Sequence, residues 1–214
     1  MKNVPSFSHR IFFSLAFIFL LSACGKDKGA SHDNSQPKKG YATGKVTDAQ
    51  GKPIAGAKIL LDNTIVYAAY INSTTGNDGT YSVKMPTGAY GVWKAYATIT
   101  KEYNGKSYSL DLCPDNTNSF NEDGAVCNFT WKLTGKVPND DYAYYGGSID
   151  MDVGVGSVIS SWDNVIITLT PAGTLIDGSQ GQPITVKFGD EHWKNYTNGI
   201  KDIPMGRYKA TAVF

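Results

Sequence analysis

The chain has 214 residues, with 23 Gly, 13 Tyr, 9 Phe and 4 Trp and a formal net charge of +1. Frequent Gly beside many Tyr, Thr and Val is typical of an all-β protein, and the length permits one large β-sandwich or two small ones. From residue 41 onward there are 14 Lys and Arg against 17 Asp and Glu, a net charge of −3. A near-neutral to mildly acidic domain argues against nucleic acid as a partner.

The N-terminal segment has the pattern of a signal peptide. Lys2 and Arg10 supply positive charge, and an apolar run of 11 residues follows at 11–21. This run suits a signal peptide and is too short for a permanent membrane-spanning helix. The next residues, Leu21-Ser22-Ala23-Cys24, resemble the lipobox of bacterial lipoproteins. The resemblance implies that residues 1–23 are removed and that Cys24 is lipidated; an ordinary secretory signal cleaved nearby is the alternative.

Residues 24–40 are predicted to form a flexible tether. They contain no large apolar side chain, so they cannot bury enough surface to fold. A bacterial lipoprotein normally carries three acyl chains, which is enough for stable anchoring in a membrane. Gly25 follows Cys24, so the Asp that usually retains lipoproteins in the inner membrane is missing. The sequence therefore favours the outer membrane, on either its periplasmic face or the cell surface.

Residues 41–134 are predicted to form an antiparallel β-sandwich. Alternation of apolar and polar residues, bounded by turn residues, indicates half-buried strands at 58–62, 80–85 and 128–133. Asn104-Gly105 predicts a hairpin within 103–112, and Asn77-Asp78-Gly79 predicts another. The side chains expected to point inward from the three strands are Ile59, Leu61, Tyr81, Val83, Met85, Phe129, Trp131 and Leu133.

Four short motifs in this segment resemble the carboxypeptidase regulatory-like domain. They are Gly44-x-Val46 to Asp48, Gly51-x-Pro53-Ile54-x-Gly56-Ala57, Asp78-Gly79-x-Tyr81 and Met85-Pro86-x-Gly88-x-Tyr90. The resemblance covers about residues 41–100 and implies a prealbumin-like (transthyretin-like) β-sandwich of about seven strands. It also implies a non-catalytic module, similar in fold to starch-binding modules. Read physically, the motif residues set turn geometry.

Two cysteines remain once Cys24 is assigned to lipid. Cys113 and Cys127 flank a polar loop, and an even pair in an exported domain predicts a disulfide. Such a cross-link would stabilise the fold by about 3 kcal/mol. Metal binding by two isolated thiols is a weaker alternative.

Residues 135–214 are predicted to form a second, diverged sandwich unit. Thr43-Gly44-Lys45-Val46 recurs as Thr134-Gly135-Lys136-Val137, and the Met85-Pro86 motif recurs as Ile203-Pro204-x-Gly206-x-Tyr208. Strands are predicted at 165–170, 184–188 and 207–214. Their inward side chains would be Val165, Ile167, Leu169, Ile184, Val186, Phe188, Tyr208, Ala210, Ala212 and Phe214. A single elaborated sandwich, with an insert at 138–160, is the alternative.

Catalytic groups are sparse after the signal peptide. The only histidines are His32, in the tether, and His192, whereas catalytic zinc is usually held by three protein ligands. We therefore expect a protein without catalytic residues, metal or cofactor, and not an enzyme. A small hydrolase with paired carboxylates is the alternative, and oxygen-rich residues 115–123 would also suit calcium. The candidate carboxylates are Asp115, Glu122, Asp123, Asp140, Asp141, Asp150 and Asp152.

Aromatic residues in loops are the main ligand-binding candidates. They are Tyr142, Tyr144, Tyr145, Trp162 and Trp193. Exposed rings of this kind stack on sugars or anchor protein partners, although core packing is the alternative. The sequence thus predicts a non-catalytic, lipid-anchored cell-envelope protein that displays binding or scaffold modules, with a glycan or an envelope protein as partner. A carbohydrate-binding surface lipoprotein is the second hypothesis.

Overall fold

The computed structural model describes residues 36–86, 88, 91–152, 154–158, 162–190 and 199–214. The predicted signal peptide, Cys24, most of the tether, His192 and Trp193 lie outside these residues. The described residues form strands joined by turns and contain no helix, which confirms the all-β prediction. Consequently, no helix long and apolar enough to cross a membrane occurs within them.

Nine strands are described in the first half of the fold. They are β1 (Tyr41–Asp48), β2 (Lys58–Asn63), β3 (Tyr70–Thr74), β4 (Thr80–Lys84), β5 (Trp93–Tyr103), β6 (Lys106–Asp111), β7 (Cys113–Pro114), β8 (Ala125–Val126) and β9 (Phe129–Trp131). One sheet has the order β4-β1-β9-β7, with β8 also paired to β1, and the other has the order β3-β2-β5-β6. Side chains from both sheets share one hydrophobic core, so the two sheets form a β-sandwich.

The predicted alternation is confirmed in the strands of this core. Ile59 and Leu61 are buried on β2, Tyr81 and Val83 on β4, and Phe129 and Trp131 on β9. Period-two alternation arises because successive side chains of a strand point to opposite faces of its sheet. The polar residues between them, such as Ser82, face outward.

Strand β1 lies inside its sheet and has both parallel and antiparallel neighbours. It pairs antiparallel with β4 and parallel with β8 and β9. The strand predicted at 128–133 therefore closes the sandwich, but it does so by parallel pairing. Gly44 lies where the backbone of β1 closely approaches the chain before β9, so that a Cβ there would overlap the Cys127 carbonyl.

One of the two predicted hairpins is confirmed and the other is wrong. Asn104 and Gly105 have φ of 49° and 74° and join β5 to β6, which pair antiparallel. The turn at 77–79 instead joins β3 to β4, which lie in different sheets. Thr75, just before this turn, is buried; its hydroxyl donates to the Ile54 carbonyl at 2.7 Å and accepts from the Ala57 amide at 2.9 Å. These bonds fix the crossing between the sheets.

The predicted disulfide is absent: Cys113 and Cys127 are free thiols, and both are buried. Cys127 belongs to the core between the sheets. Cys113 lies opposite Thr130 in the β7–β9 pairing, and Thr130 alternates with the core residues of β9. Directly opposed residues share a face of the sheet, so the two thiols lie on opposite faces and cannot join.

We expect a thiol reagent to modify neither cysteine in the folded protein and both in denaturant, without prior reduction. Burial, aided by the charge of Asp115, raises the pKa of the Cys127 thiol to about 11. At pH 8 only roughly one molecule in a thousand then carries the reactive thiolate. Alkylation followed by mass spectrometry measures this, with Cys113→Ser as the single-thiol control. Modification that requires prior reduction would instead reveal a disulfide.

Five strands are described in the second half of the fold, in two small sheets. They are β10 (Gly147–Asp150), β11 (Ile166–Pro171), β12 (Ile184–Lys187), β13 (Gly199–Ile203) and β14 (Tyr208–Val213). The sheets have the orders β12-β11-β14 and β10-β13. They enclose a second hydrophobic core, formed mainly by Val165, Ile167, Leu169, Val186, Ile200 and Ile203. The predicted strands at 165–170 and 184–188, with their inward residues, are confirmed.

The inward assignment for the last strand is wrong beyond Tyr208. Ala210, Ala212 and Phe214 are all exposed, and Phe214 retains 71% of its accessible surface. β14 is an edge strand, and the second core is built on β11 and β12 with β10 and β13. That core covers β14 only at Tyr208, whose hydroxyl donates to the Pro204 carbonyl at 2.8 Å.

The two halves are joined by apolar packing and by polar contacts. Ile176 is buried in the first core, and Met205 packs against that core. The Tyr103 hydroxyl, at the end of β5, donates to the Thr174 carbonyl at 2.7 Å and accepts from the Arg207 amide at 3.0 Å. Ser35–Phe214 form one compact unit, so the division into two tandem sandwiches stays a prediction. The Thr134 repeat has no counterpart in structure, because Gly135 lies in a turn whereas Gly44 lies within β1.

Candidate ligand-binding cleft

A cleft of about 340 Å³ opens beside the edge of β5. Its walls come from three segments: the start of β5, the loop after β7, and the first residues of the second half. The side chains and backbone that line it include Lys94, Ala95, Tyr96, Asp111, Pro114, Asn116, Thr117, Asn118, Pro138, Asn139 and Tyr145. The rest of the lining is apolar and comes from Ala97, Leu112, Phe129 and Val137. Polar and apolar groups therefore both face the cleft, and the volume is at the lower limit of ordinary ligand pockets.

The cleft exists because β5 loses its neighbour over a short stretch. β6 pairs with β5 from Thr98 onward, and the Leu112 amide then donates to the Ala97 carbonyl at 2.9 Å. The chain next crosses to the other sheet and returns only at Phe120, which pairs with Trp93. Between these two points the edge of β5 at Ala95 faces the cleft.

The loop opposite this edge is held by asparagine and aspartate side chains. The Asn128 amide and side chain donate to the two carboxylate oxygens of Asp115 at 3.0 and 2.9 Å. The Asn118 amide donates to the Asn116 side chain at 2.8 Å, a local turn that Asn favours. Asn116 and Asn118 are thereby fixed on the wall of the cleft.

A short hairpin from the second half closes the cleft. Lys136 bridges Tyr144 in antiparallel fashion, and the Asp140 carboxylate accepts from the Tyr142 and Ala143 amides at 2.8 and 3.0 Å. The Asn139 side chain donates to the Thr117 hydroxyl at 2.8 Å. This bond joins the two rims of the cleft.

Tyr145 separates the cleft from a second cavity of about 250 Å³ that it also lines. Burial, together with a hydrogen bond to the Cys113 side chain, raises the pKa of its phenol. The hydroxyl therefore stays protonated at physiological pH and remains able to donate. Tyr144 and Met205 also line the second cavity.

The five aromatic candidates predicted from sequence do not form one surface. Tyr145 lines the cleft and Tyr144 the adjoining cavity, whereas Tyr142 is 82% exposed at the hairpin tip. Trp162 packs against the second core, and Trp193 lies outside the described residues. Sequence reasoning missed Tyr96, which is 48% exposed and alternates outward on β5; this alternation was the only available signal for it.

The candidate carboxylates of the hydrolase alternative mostly have local structural partners. Asp115 binds Asn128, Asp140 caps the hairpin and Asp141 pairs with Lys136 at 3.1 Å. Glu122 accepts from the Gly88 amide at 3.2 Å. Among the described residues, no group of three or more His, Cys, Asp or Glu is placed to hold a metal ion.

The cleft offers hydrogen bonds and aromatic surface. Asn side chains both donate and accept, as the Tyr and Thr hydroxyls do. Lys94 and Asp111 add one charge of each sign. This arrangement can recognise an uncharged ligand rich in hydroxyl or amide groups.

No family model matches this chain. A stretch of 79 residues is 33% identical to "Structural protein 27" of a virus (isolate Australia/Victoria). The match covers 35% of this chain and 14% of the viral protein, so the chain spans about a seventh of that relative's length.

Proposed function

We propose that this chain is a non-catalytic, lipid-anchored protein of the bacterial cell envelope that binds a ligand in the cleft beside β5. The observation that carries the proposal is the cleft lining, in which three asparagines and two tyrosines surround an open strand edge. The described residues of the chain include no histidine, and most of the candidate carboxylates have partners in local turns. The relative's name denotes a structural protein, in keeping with a non-catalytic role.

The proposed cellular location rests on the N-terminal sequence. Leu21-Ser22-Ala23-Cys24 resembles a lipobox, and β1 begins only at Tyr41. The intervening polar residues suit a tether between an acylated Cys24 and the sandwich. Because Gly25 stands where the retention Asp would be, we place the protein at the outer membrane. The resemblance to carboxypeptidase regulatory-like domains is consistent with a displayed binding module.

A carbohydrate is the ligand class that we favour. Sugar hydroxyls both donate and accept hydrogen bonds, which matches the Asn116, Asn118 and Asn139 amides. Tyr96 supplies an exposed ring on which a sugar face stacks. An envelope glycan would also be within reach of a protein tethered at the membrane.

We expect the full chain to bind a subset of an envelope-glycan library and to lose at least about tenfold in affinity in Tyr96→Ala or Asn118→Ala. A tenfold loss corresponds to about 1.4 kcal/mol, a typical contribution for one well-placed side chain. Glycan-array binding followed by titration calorimetry measures this.

Tyr142→Ala is the matched control, because Tyr142 is an exposed tyrosine on the hairpin that closes the cleft but does not line the cleft itself. Equal binding by this variant and the unmodified chain supports the cleft. Loss of binding in Tyr142→Ala alone would move the site to the hairpin tip. Absence of binding to every glycan in the library would reject a glycan ligand and direct the search to envelope proteins.

A further inference from the structure

An exposed apolar tip lies between β2 and β3. Ile65, Val66, Tyr67 and Tyr70 retain 71%, 46%, 95% and 53% of their accessible surface, and residues 63–73 carry no charged side chain. Such a cluster of large apolar side chains in solvent marks an interaction site. The residues of this apolar tip are Ile65, Val66, Tyr67 and Tyr70.

The tip is held in place by hydrogen bonds at its base. The buried Asn63 side chain accepts from the Ile65 and Val66 amides at 3.0 and 2.9 Å. The Thr64 amide and hydroxyl both donate to the Val92 carbonyl, at 2.9 and 3.0 Å. The fold therefore presents the apolar side chains to solvent in a fixed arrangement.

The apolar tip lies at the end of the sandwich where the N-terminal tether enters. The Gly40 amide donates to the Glu122 carbonyl at 2.7 Å, and Phe120, two residues before Glu122, pairs with Trp93. Trp93 is in turn the partner of Asn63 in the β2–β5 pairing. A continuous row of neighbours thus leads from the tether to the base of the tip.

The chain enters its second half at the opposite end, and the hairpin at 136–145 then returns to line the cleft beside the start of β5. β9 runs parallel to β1, so the chain leaves the sandwich at Trp131, away from the tether. Tyr103, which binds the second half, lies at the other end of β5 from Trp93. With 11 residues, β5 spans about 35 Å.

The number of residues after Cys24 limits how far the sandwich can lie from the anchor. Residue 36 follows Cys24 by 12 positions, and 12 residues reach at most about 43 Å. A lipid-anchored Cys24 therefore keeps the tether end of the sandwich near the bilayer.

We propose that the apolar tip inserts into the interfacial region of the membrane that holds the lipid anchor. Tyr is enriched at this boundary because its ring is apolar and its hydroxyl polar, and Ile65 and Val66 enter the acyl region beside Tyr67. This contact fixes the orientation of the first sandwich, with the turn that joins β5 to β6 directed away from the bilayer. The inference rests on the lipid anchor of the proposed function.

The test uses the full, lipidated chain in vesicles of phosphatidylethanolamine and phosphatidylglycerol. An environment-sensitive fluorophore is attached through Tyr67→Cys and, as the control, through Ser107→Cys. Ser107 is exposed and pairs with Glu102 at the far end of β5. We expect the emission from position 67 to shift to the blue on reconstitution and to be quenched by bromine-labelled lipid chains. The emission from position 107 should stay as in water.

Palmitate labelling and vesicle flotation separate the two proposals. Both the lipid anchor and the tip insertion are supported by three results together. Cys24→Ala abolishes the labelling, the lipidated chain floats with the vesicles, and the blue shift is confined to position 67. Flotation with a water-like signal at position 67 overturns the tip insertion and leaves the anchor. Labelling that persists in Cys24→Ala, or is never seen, overturns the anchor and the orientation derived from it. A blue shift at both positions would overturn the orientation alone.

Discussion

Gly44→Ala is expected to lower the free energy of unfolding by about 3–5 kcal/mol. A Cβ at this position of β1 would overlap the Cys127 carbonyl and lie 2.9 Å from the Tyr81 ring. The Tyr81 hydroxyl donates to that same carbonyl at 2.6 Å inside the core. Overpacking costs about 1–3 kcal/mol, and a broken buried hydrogen bond adds about 1–3 kcal/mol. Urea denaturation measures the loss.

Gly154→Ala is the matched control for Gly44→Ala. Gly154 is exposed, and no heavy atom lies within 4 Å of a Cβ built there. We expect its free energy of unfolding to change by no more than about 0.5 kcal/mol. Equal stability of the two variants would contradict the close approach of β1 to Cys127.

Phe129→Ala and Leu169→Ala are expected to cost about 3–5 and 2–5 kcal/mol respectively. Phe129 is 2% exposed in the first core, and Leu169 is fully buried in the second. Truncation of such side chains removes apolar burial and leaves a cavity. Thermal and urea unfolding of each variant measures how strongly the two cores contribute.

Tyr67→Ala is the control for both core variants, because Tyr67 is 95% exposed and should leave the stability in solution nearly unchanged. A Leu169→Ala variant as stable as Tyr67→Ala would mean that the second core does not contribute to stability. The same result for Phe129→Ala would contradict the placement of β9 in the first core.

Local patterns in the sequence were sufficient to predict most strands but not how they pair. Alternation placed Ile59, Leu61 and Val186 in the cores because the side-chain period of a strand is a local property. The parallel pairing of β9 with β1 depends on contacts between distant segments, which alternation does not encode. The 77–79 turn has hairpin residues, yet the burial of Thr75 directs the chain to the other sheet.

The predictions of a disulfide and of the buried side of the last strand were wrong for related reasons. Cysteine counting does not reveal that Cys113 and Cys127 point to opposite faces of one sheet. The pattern of β14 gives inward and outward sides, but only the covering strands decide which side is buried. Ala210 and Ala212 are exposed because the second core extends no further than Tyr208 on that strand.

The candidate site was predicted in part. Tyr145 was selected from sequence because aromatics crowd its loop, and it does line the cleft. Asn116, Asn118 and Asn139 were not selected, because asparagine in a loop ordinarily serves turn geometry. Their grouping around Ala95 depends on where β6 leaves β5, which the order of residues alone does not define.

The position of β1 has a consequence for the order in which the protein folds. Lys45 on β1 binds Asn128, 83 residues later in the chain, and contacts of such long range slow folding. While the chain is synthesised from its N-terminus, the side of β1 that pairs with β8 and β9 lacks a neighbour until residues 125–131 have emerged. An unpaired strand edge is a template for aggregation. A chain truncated before residue 129 is therefore expected to aggregate rather than fold.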